Sequence, residues 1–207
     1  HLPGHFVKYE VAAMAGSGAN TKISLQNGHL WVLRLGASRN LPFFLSQEPL
    51  AAMLQVAVSI RKADDLDFTG QLAGADKTIF THFSGNDRRM NIALILRHGG
   101  TQFVSEYLSA KFTTLNGFVS WLADGYYFQL NQKMRDRWQV FLKYERFDPD
   151  HSVINSADMT RTTMGLSYYL KQQGNRLMFS YTHKTERRDA SKNDVMMLQY
   201  QYFLFRS

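Results

Sequence analysis

The sequence has no cysteine and only four prolines in 207 residues. Without cysteine, disulfide scaffolds, thiolate metal sites and cysteine nucleophiles are excluded. Long apolar runs are also missing, and none approaches the ~20 residues that a transmembrane helix needs. Helical membrane spans are therefore excluded, whereas membrane-spanning strands are not. No proline-rich linker, internal repeat or low-complexity tract interrupts the chain, which predicts a single domain over residues 1–207.

Motifs for catalysis and for cofactor or metal binding are missing too. The seven histidines are dispersed, and no pair has the spacing of metal ligands. No GxSxG elbow exists, and Gly16-Ser17-Gly18 is not followed by a helical pattern. Asp64-Asp65-Leu66-Asp67 offers oxygen ligands for calcium, but a solvated loop is the better interpretation. We expect no enzyme activity, no cofactor and no metal site.

The composition is mixed, basic and aromatic. Hydrophobic residues make up 44%, charged residues 20% and aromatic residues 14%, and the formal net charge is +7. Because the basic residues are scattered singly, they fit an anion-attracting surface or channel better than a nucleic-acid-binding arm. The aromatic content suits the girdles of a membrane barrel, although a soluble β-rich core also favours aromatics.

Strict alternation of apolar and polar residues dominates the chain. In segment 51–61, Leu54, Val56 and Val58 share one face, and Gln55 and Ser59 share the other. A period of two is typical of a strand with one apolar face. The pattern predicts ten strands, near residues 5–15, 28–38, 51–61, 90–98, 101–113, 117–130, 136–147, 160–170, 175–185 and 198–204. In strand 101–113 the phase is ambiguous, since Phe103 and Tyr107 oppose Val104 and Leu108.

The lengths of these strands favour an all-β, antiparallel transmembrane β-barrel. Most have the ~9–11 residues that cross a bilayer at a tilt, whereas strands of soluble domains average ~5–6. Short turns at 98–101, 131–136 and 171–175 alternate with longer polar connections at 62–89, 148–159 and 186–193, which is the outer-membrane arrangement. Segment 76–84 is assigned to an excursion in the longest connection.

Ten strands with open edges are unsatisfactory in lipid, because unpaired backbone groups are not tolerated there. Either the ten strands close on themselves or further strands precede them. The start at His1-Leu2-Pro3-Gly4, with no signal peptide, favours the second alternative. We expect this chain to be the C-terminal portion of a larger barrel.

Several stretches resemble the phosphate-selective porin O and P family. They are, in order, Gly16–Asn20, Leu33-Arg34-Leu35 with Pro42, Gly125–Phe128, Trp138–Asp148 (WQVFLKYERFD), Thr163–Leu170 (TMGLSYYL) and Asn175–Tyr181 (NRLMFSY). The resemblance implies ten C-terminal strands of a sixteen-stranded outer-membrane barrel, a homotrimer and, for some members, anion selectivity. The constriction loop and much of the arginine ladder of that family would lie upstream, so phosphate specificity is not carried over.

The strand phases then predict two sets of residues. Basic residues on the polar phase are candidates for the lining of an aqueous lumen, where they would attract anions or simply be solvated: Lys8, Arg34, Arg61, Arg97, Lys143, Arg161, Arg176 and Lys184. Aromatic residues are candidates for the lipid interface, or for contacts between protomers: Trp31, Trp138, Tyr144, Tyr168, Tyr200 and Tyr202.

The predicted function is an outer-membrane channel for passive diffusion of small hydrophilic solutes, with a preference for anions. The expected partners are outer-membrane lipid and the permeating solutes, and no nucleic acid. The alternative is a structural outer-membrane barrel that scaffolds or houses partner proteins in an envelope complex.

Overall fold

A computed structural model shows ten antiparallel strands in one sheet, in the order of the sequence. It describes residues 5–14, 29–44, 46–66, 83–117, 119–152, 158–170, 175–186 and 194–202. The strands are β1 (His5–Met14), β2 (Leu30–Leu41), β3 (Leu50–Leu66), β4 (Phe83–His98), β5 (Thr101–Thr114), β6 (Ser120–Met134), β7 (Trp138–Asp148), β8 (Met159–Tyr169), β9 (Arg176–Glu186) and β10 (Val195–Gln201). The predicted all-β antiparallel fold is confirmed.

No helix among the described residues has both the length and the apolar character needed to cross a membrane.

The connections divide between two ends of the sheet. At one end, here the short-turn end, Gly99-Gly100 joins β4 to β5 and residues 135–137 join β6 to β7. Gly99 and Arg135 have φ values of 52° and 54°, so each tight turn contains one residue in the left-handed region. At the other end, here the long-loop end, residues 67–82 and 149–158 connect β3 to β4 and β7 to β8.

Two strands are longer than their alternation predicted. The prediction of a loop over residues 62–89 is wrong at both ends. β3 continues to Leu66 and is 17 residues long, and β4 already begins at Phe83 and is 16 residues long. Polar residues occupy both faces there, which removes the alternation, while the ladder of backbone hydrogen bonds continues with a bulge between Ala63 and Leu66. Asp64 therefore lies in a strand rather than in a loop.

Other expectations fall partly outside the described residues. These are the glycine-rich stretch 16–20, Asp67, most of the excursion at 76–84, and the end of the strand expected over 198–204, which in the structure begins at Val195.

Register resolves the strand whose phase was ambiguous. Tyr107 pairs with Tyr126 of β6 and Ile92 of β4, whereas Leu108 pairs with Gly125 and Asn91. Phe103 and Tyr107 therefore share the face of the apolar residues of the neighbouring strands. Periodicity could not decide between the two phases, because both faces of β5 carry apolar residues.

Two glycines allow aromatic rings to lie against the backbone of the facing strand. Gly165 pairs with Phe141, and Gly125 pairs with Phe147. A Cβ atom at Gly165 would lie 2.2 Å from Cε1 of Phe141, so no other residue fits there without movement of the ring.

The ten strands that the structure describes do not close on themselves. β1 pairs with β2 and β10 pairs with β9, and no pairing joins β1 to β10 among the described residues. Within the described ranges, both strands therefore present open backbone edges.

Candidate functional site

All eight basic residues predicted for the lumen lie on one face of the sheet, here called the polar face. Residues directly opposite in antiparallel strands point the same way, so the pairing registers follow each face from β1 to β10. One row of direct neighbours on this face contains Lys8, Glu106, Glu145, Arg161 and Lys184. The opposite face, here called the apolar face, carries Leu54, Val56 and Val58.

Three of the polar-face lysines form the same ion pair. Lys8, Lys143 and Lys184 each occur in a Lys-x-Glu sequence, and Nζ lies 2.5, 2.8 and 2.6 Å from the carboxylate two residues later. Residues i and i+2 of a strand share a face, which explains the repeated geometry. Glu10 also binds Arg34, at 3.2 Å. These acids offset much of the positive charge of their partners.

Arg61 lies on the polar face but is buried in a charged triad. Its Nη2 is 2.8 Å from Oδ2 of Asp87, and Arg89 donates to both oxygens of Asp87 at 2.9 Å. Asp87 is 1% exposed and Arg61 7%, whereas Arg89 is 45% exposed. Asp87 therefore holds two guanidinium groups, of which only that of Arg89 is accessible to a solute. Removing such a buried partner typically costs ~3–5 kcal/mol.

An aromatic cluster covers this triad on the side of the long loops. Phe83 packs edge-on against Phe112 and Trp121 at ring distances of 5.4 and 5.1 Å, and Ala63 is buried with them. The guanidinium of Arg89 lies 5.8 Å from the centre of the Phe112 ring. Aromatic packing of this kind fixes the position of the exposed guanidinium.

Acids offset only part of the positive charge of the polar face. Among the strand residues whose side chains the structure describes, its acids are Glu10, Asp87, Glu106, Glu145 and Glu186, against the eight predicted bases plus Arg89 and Lys133. No ion pair with a described acid is formed by Arg97, Arg161 or Arg176. The net charge of this face is therefore positive.

Sequence reasoning missed Arg89 and Lys133. Arg89 was assigned to the loop expected over 62–89, and Lys133 to the turn expected over 131–136. The Arg88-Arg89 doublet contained a usable signal, because adjacent residues of a strand must lie on opposite faces.

A cavity of about 610 Å³ lies at the short-turn end of the polar face. Arg97, Gln102, Lys133, Gln139 and Tyr169 contribute to its lining. The hydroxyl of Tyr169 donates to Oε1 of Gln139 at 2.6 Å. Asp136 also lines the cavity, so its wall offers two cationic groups, one carboxylate and several neutral polar groups to a hydrated solute.

The apolar face exposes large hydrophobic side chains across its whole width. Exposed fractions reach 82% for Val7, 49% for Leu54, 52% for Leu142 and 69% for Leu198. Soluble monomers rarely expose contiguous apolar patches beyond a few hundred Å². On β3 the uncharged residues of this face run from Leu50 to Ile60, about 33 Å along the strand. At a tilt of about 40° this length crosses roughly 25 Å, which is the height of the apolar band of a barrel.

The boundary of this band slants across the sheet. Lys111 of β5 pairs with Leu122, but the first charged apolar-face residue of β6 is Asp124, two residues deeper. On β7 the corresponding first charged residue is Arg146. It pairs with Tyr126, which lies two residues deeper in the band than Asp124. A boundary that moves along successive strands indicates strands tilted to the membrane normal, as barrel geometry requires.

The predicted interface aromatics follow the two edges of the band. Trp138 and Tyr168 are directly paired near the short-turn end, with their rings 4.7 Å apart. Tyr200 lies on the same face and Tyr202 follows β10, with their rings 6.3 Å apart. Trp31 and Tyr144 lie nearer the long-loop end.

Two further tyrosines lie at an edge of the apolar band but were not predicted as interface aromatics. Tyr126 and Tyr181 lie on the apolar face, each one position inside the charged or titratable residue that limits the band on its strand, Asp124 and His183. The hydroxyl of Tyr181 donates to Asp194 at 2.6 Å, which lowers the pKa of that carboxyl, and His183 lowers it further.

A polar cluster closes the long-loop end of β6 and β7. Nε2 of His151 is 2.9 Å from Oδ1 of Asp124, and this hydrogen bond raises the pKa of His151. Asp148 Oδ1 accepts from the backbone N–H of Asp150, which is the turn chemistry expected of Asp148-Pro149-Asp150. In the part of the chain that the structure describes, no three acidic or histidine side chains converge as metal ligands.

Comparison with curated proteins and with solved structures finds no significant match. A family model, that of the phosphate-selective porins O and P, matches residues 24–203, which is most of the chain. The match agrees with the ten-stranded antiparallel sheet, which has a band of exposed apolar side chains suited to lipid on one face and a charged opposite face. The chain belongs to the phosphate-selective porin O and P family, whose members are outer-membrane channels with β-barrel walls.

Proposed function

We propose that the protein is a passive channel of the bacterial outer membrane that passes small hydrophilic solutes and prefers anions. The observation that carries the proposal is the excess of basic over acidic residues on the polar face. In a barrel wall the face opposite the lipid borders the lumen, so these charges set the potential that a permeating ion meets.

Selectivity is carried by the arginines that no described acid neutralises. Arg97, Arg161 and Arg176 lack an ion pair with any described acid, and Arg89 shares Asp87 with the buried Arg61. The Lys-x-Glu pairs contribute local dipoles with little net charge. Arg61 acts on permeation only by fixing Asp87 and, through it, Arg89.

Planar-bilayer conductance tests the proposal directly. Purified protein should form stable channels whose reversal potential in a KCl gradient shows preference for chloride. A barrel that houses a partner protein would give little or no ion current once purified. Cation preference would overturn the assignment of the polar face as an anion-attracting lining.

We also infer that strands beyond these ten complete the barrel, in a homotrimer of sixteen-stranded protomers. The open edges of β1 and β10 support the additional strands, because each unpaired backbone group costs several kcal/mol in hydrocarbon. The number of sixteen strands and the homotrimer are supported only by membership of the family. The absence of natural cysteine allows disulfide mapping. Paired cysteines scanned along β1 and β10 should not cross-link within one protomer, and efficient cross-linking would show that the ten strands close on themselves.

A further inference from the structure

Three basic side chains cluster on the apolar face at the long-loop end. Lys62 is on β3, Arg88 on β4 and Lys111 on β5, and all three are exposed. Arg88 is directly opposite Lys111, and on its other side it is opposite Ile60. Lys62 is therefore the diagonal neighbour of Arg88, within roughly 7–8 Å by the usual sheet spacing.

No described acid neutralises these three cations, because none of them forms an ion pair with a described residue. Asp64, further along β3, accepts a hydrogen bond from Oγ of Ser84 at 3.1 Å. On the polar face of the same strands, Arg61 and Arg89 share Asp87. Like charges directly opposite each other destabilise a sheet, so an external anion would stabilise this arrangement.

The depth of the cluster points to the source of that anion. Ile60, Met90 and Leu122 lie on the apolar face at or just inside the level of the three cations and are 54%, 38% and 38% exposed. The cations therefore lie where hydrocarbon gives way to lipid headgroups. In outer-membrane barrels the longer loops are extracellular, which places the cluster in the outer leaflet.

We propose that Lys62, Arg88 and Lys111 form a binding site for the phosphate groups of an anionic lipid of the outer leaflet. The phosphate lies between the three cationic groups, and the acyl chains lie along Ile60 and Met90. Arg88 supplies a planar guanidinium suited to two parallel hydrogen bonds with phosphate, and the lysines supply point charges. The site depends on the membrane placement of the barrel and not on ion flow through the lumen.

Native mass spectrometry of the purified protein in nonionic detergent tests the site. Bisphosphorylated lipid A and its dephosphorylated counterpart serve as probes. Each basic residue near a membrane surface contributes about fivefold in affinity (~1 kcal/mol). The variant Lys62→Gln/Arg88→Gln/Lys111→Gln should therefore lose on the order of 100-fold in affinity for the phosphorylated probe.

The matched control, Arg97→Gln/Arg161→Gln/Arg176→Gln, removes the same net charge from the polar face and should bind the phosphorylated probe as the wild type does. Equal affinity of the wild type for both probes would overturn the proposal, as would full binding by the apolar-face variant. If that variant does not fold, the salt dependence of binding to the wild type tests the site instead. The preference for the phosphorylated probe should fall as salt rises from about 0.1 to 1 M. A preference that does not change with salt refutes the site. Because no ion current is measured, a non-conducting channel would overturn the proposed function without affecting this result.

Discussion

Replacing Arg97 by glutamine is the most direct test of which face of the sheet lines the lumen. Its neighbours on the polar face, Ala51 and Gln102, are neutral. Arg39 provides a matched control, because it pairs with Ala52 on the same strand, β3, at nearly the same depth but on the apolar face. Arg97→Gln and Arg39→Gln thus remove one charge each from opposite sides of one wall.

The expected magnitude follows from Coulomb's law in a water-filled lumen. An anion about 6 Å from the guanidinium gains roughly 0.7 kcal/mol, and screening at about 0.1 M salt reduces this to roughly 0.4 kcal/mol. A cation loses the same amount, so Arg97→Gln should lower the ratio of chloride to potassium permeability about three- to fourfold. At about 1 M salt, where the Debye length is ~3 Å, the effect should nearly vanish.

Reversal potentials in planar bilayers under asymmetric KCl give this ratio for the wild type and both variants. Arg39→Gln should leave it unchanged. If Arg39→Gln shifted the ratio and Arg97→Gln did not, the faces would be inverted. If neither did so at low salt, the polar face would not line a conducting lumen.

Three further predictions concern stability, and denaturant unfolding in lipid vesicles measures each. Leu54→Arg, on the apolar face, should lower the free energy of unfolding by ~2–4 kcal/mol. The adjacent Gln55→Arg, on the polar face, should lower it far less, and equal losses would contradict the face assignment. Gly165→Ala should cost ~1–3 kcal/mol, because its Cβ would lie 2.2 Å from a facing aromatic ring, and an unchanged unfolding midpoint would show that the ring moves freely. The raised pKa of His151 means that its contribution to the free energy of unfolding is fully present below the ordinary pKa of 6.5 and is lost as pH rises through the raised pKa. Because the pair with Asp124 is partly exposed, this contribution is under ~1 kcal/mol. His151→Gln should abolish this pH dependence of stability, and an identical pH dependence in the variant would exclude the pair as its source.

The faces of the strands could be predicted from the sequence because strand geometry alternates by a fixed period of two. Leu54 and Arg97 were assigned to faces without any knowledge of their neighbours, and the registers agree with those assignments. The membrane band was also predictable, since a bilayer demands uncharged side chains over a fixed length. Where both faces become polar, as at Lys62 and Asp64, the period no longer identifies the strand, and β3 was predicted too short.

The partners of each charge could not be predicted, because they depend on the register between strands. Asp87 was assigned to a loop, yet pairing of β3 with β4 places it opposite Arg61 and buries both. The exposed cation of that triad, Arg89, was missed for the same reason.

The sequence by itself determined an all-β wall with one side for lipid and one for water, since a two-residue period and a bilayer-length apolar stretch are local properties of the chain. Only the tertiary structure decided which cations remain unneutralised. Electrostatic compensation depends on distances of a few ångströms between residues far apart in sequence, such as the 2.8 Å that joins Arg61 to Asp87.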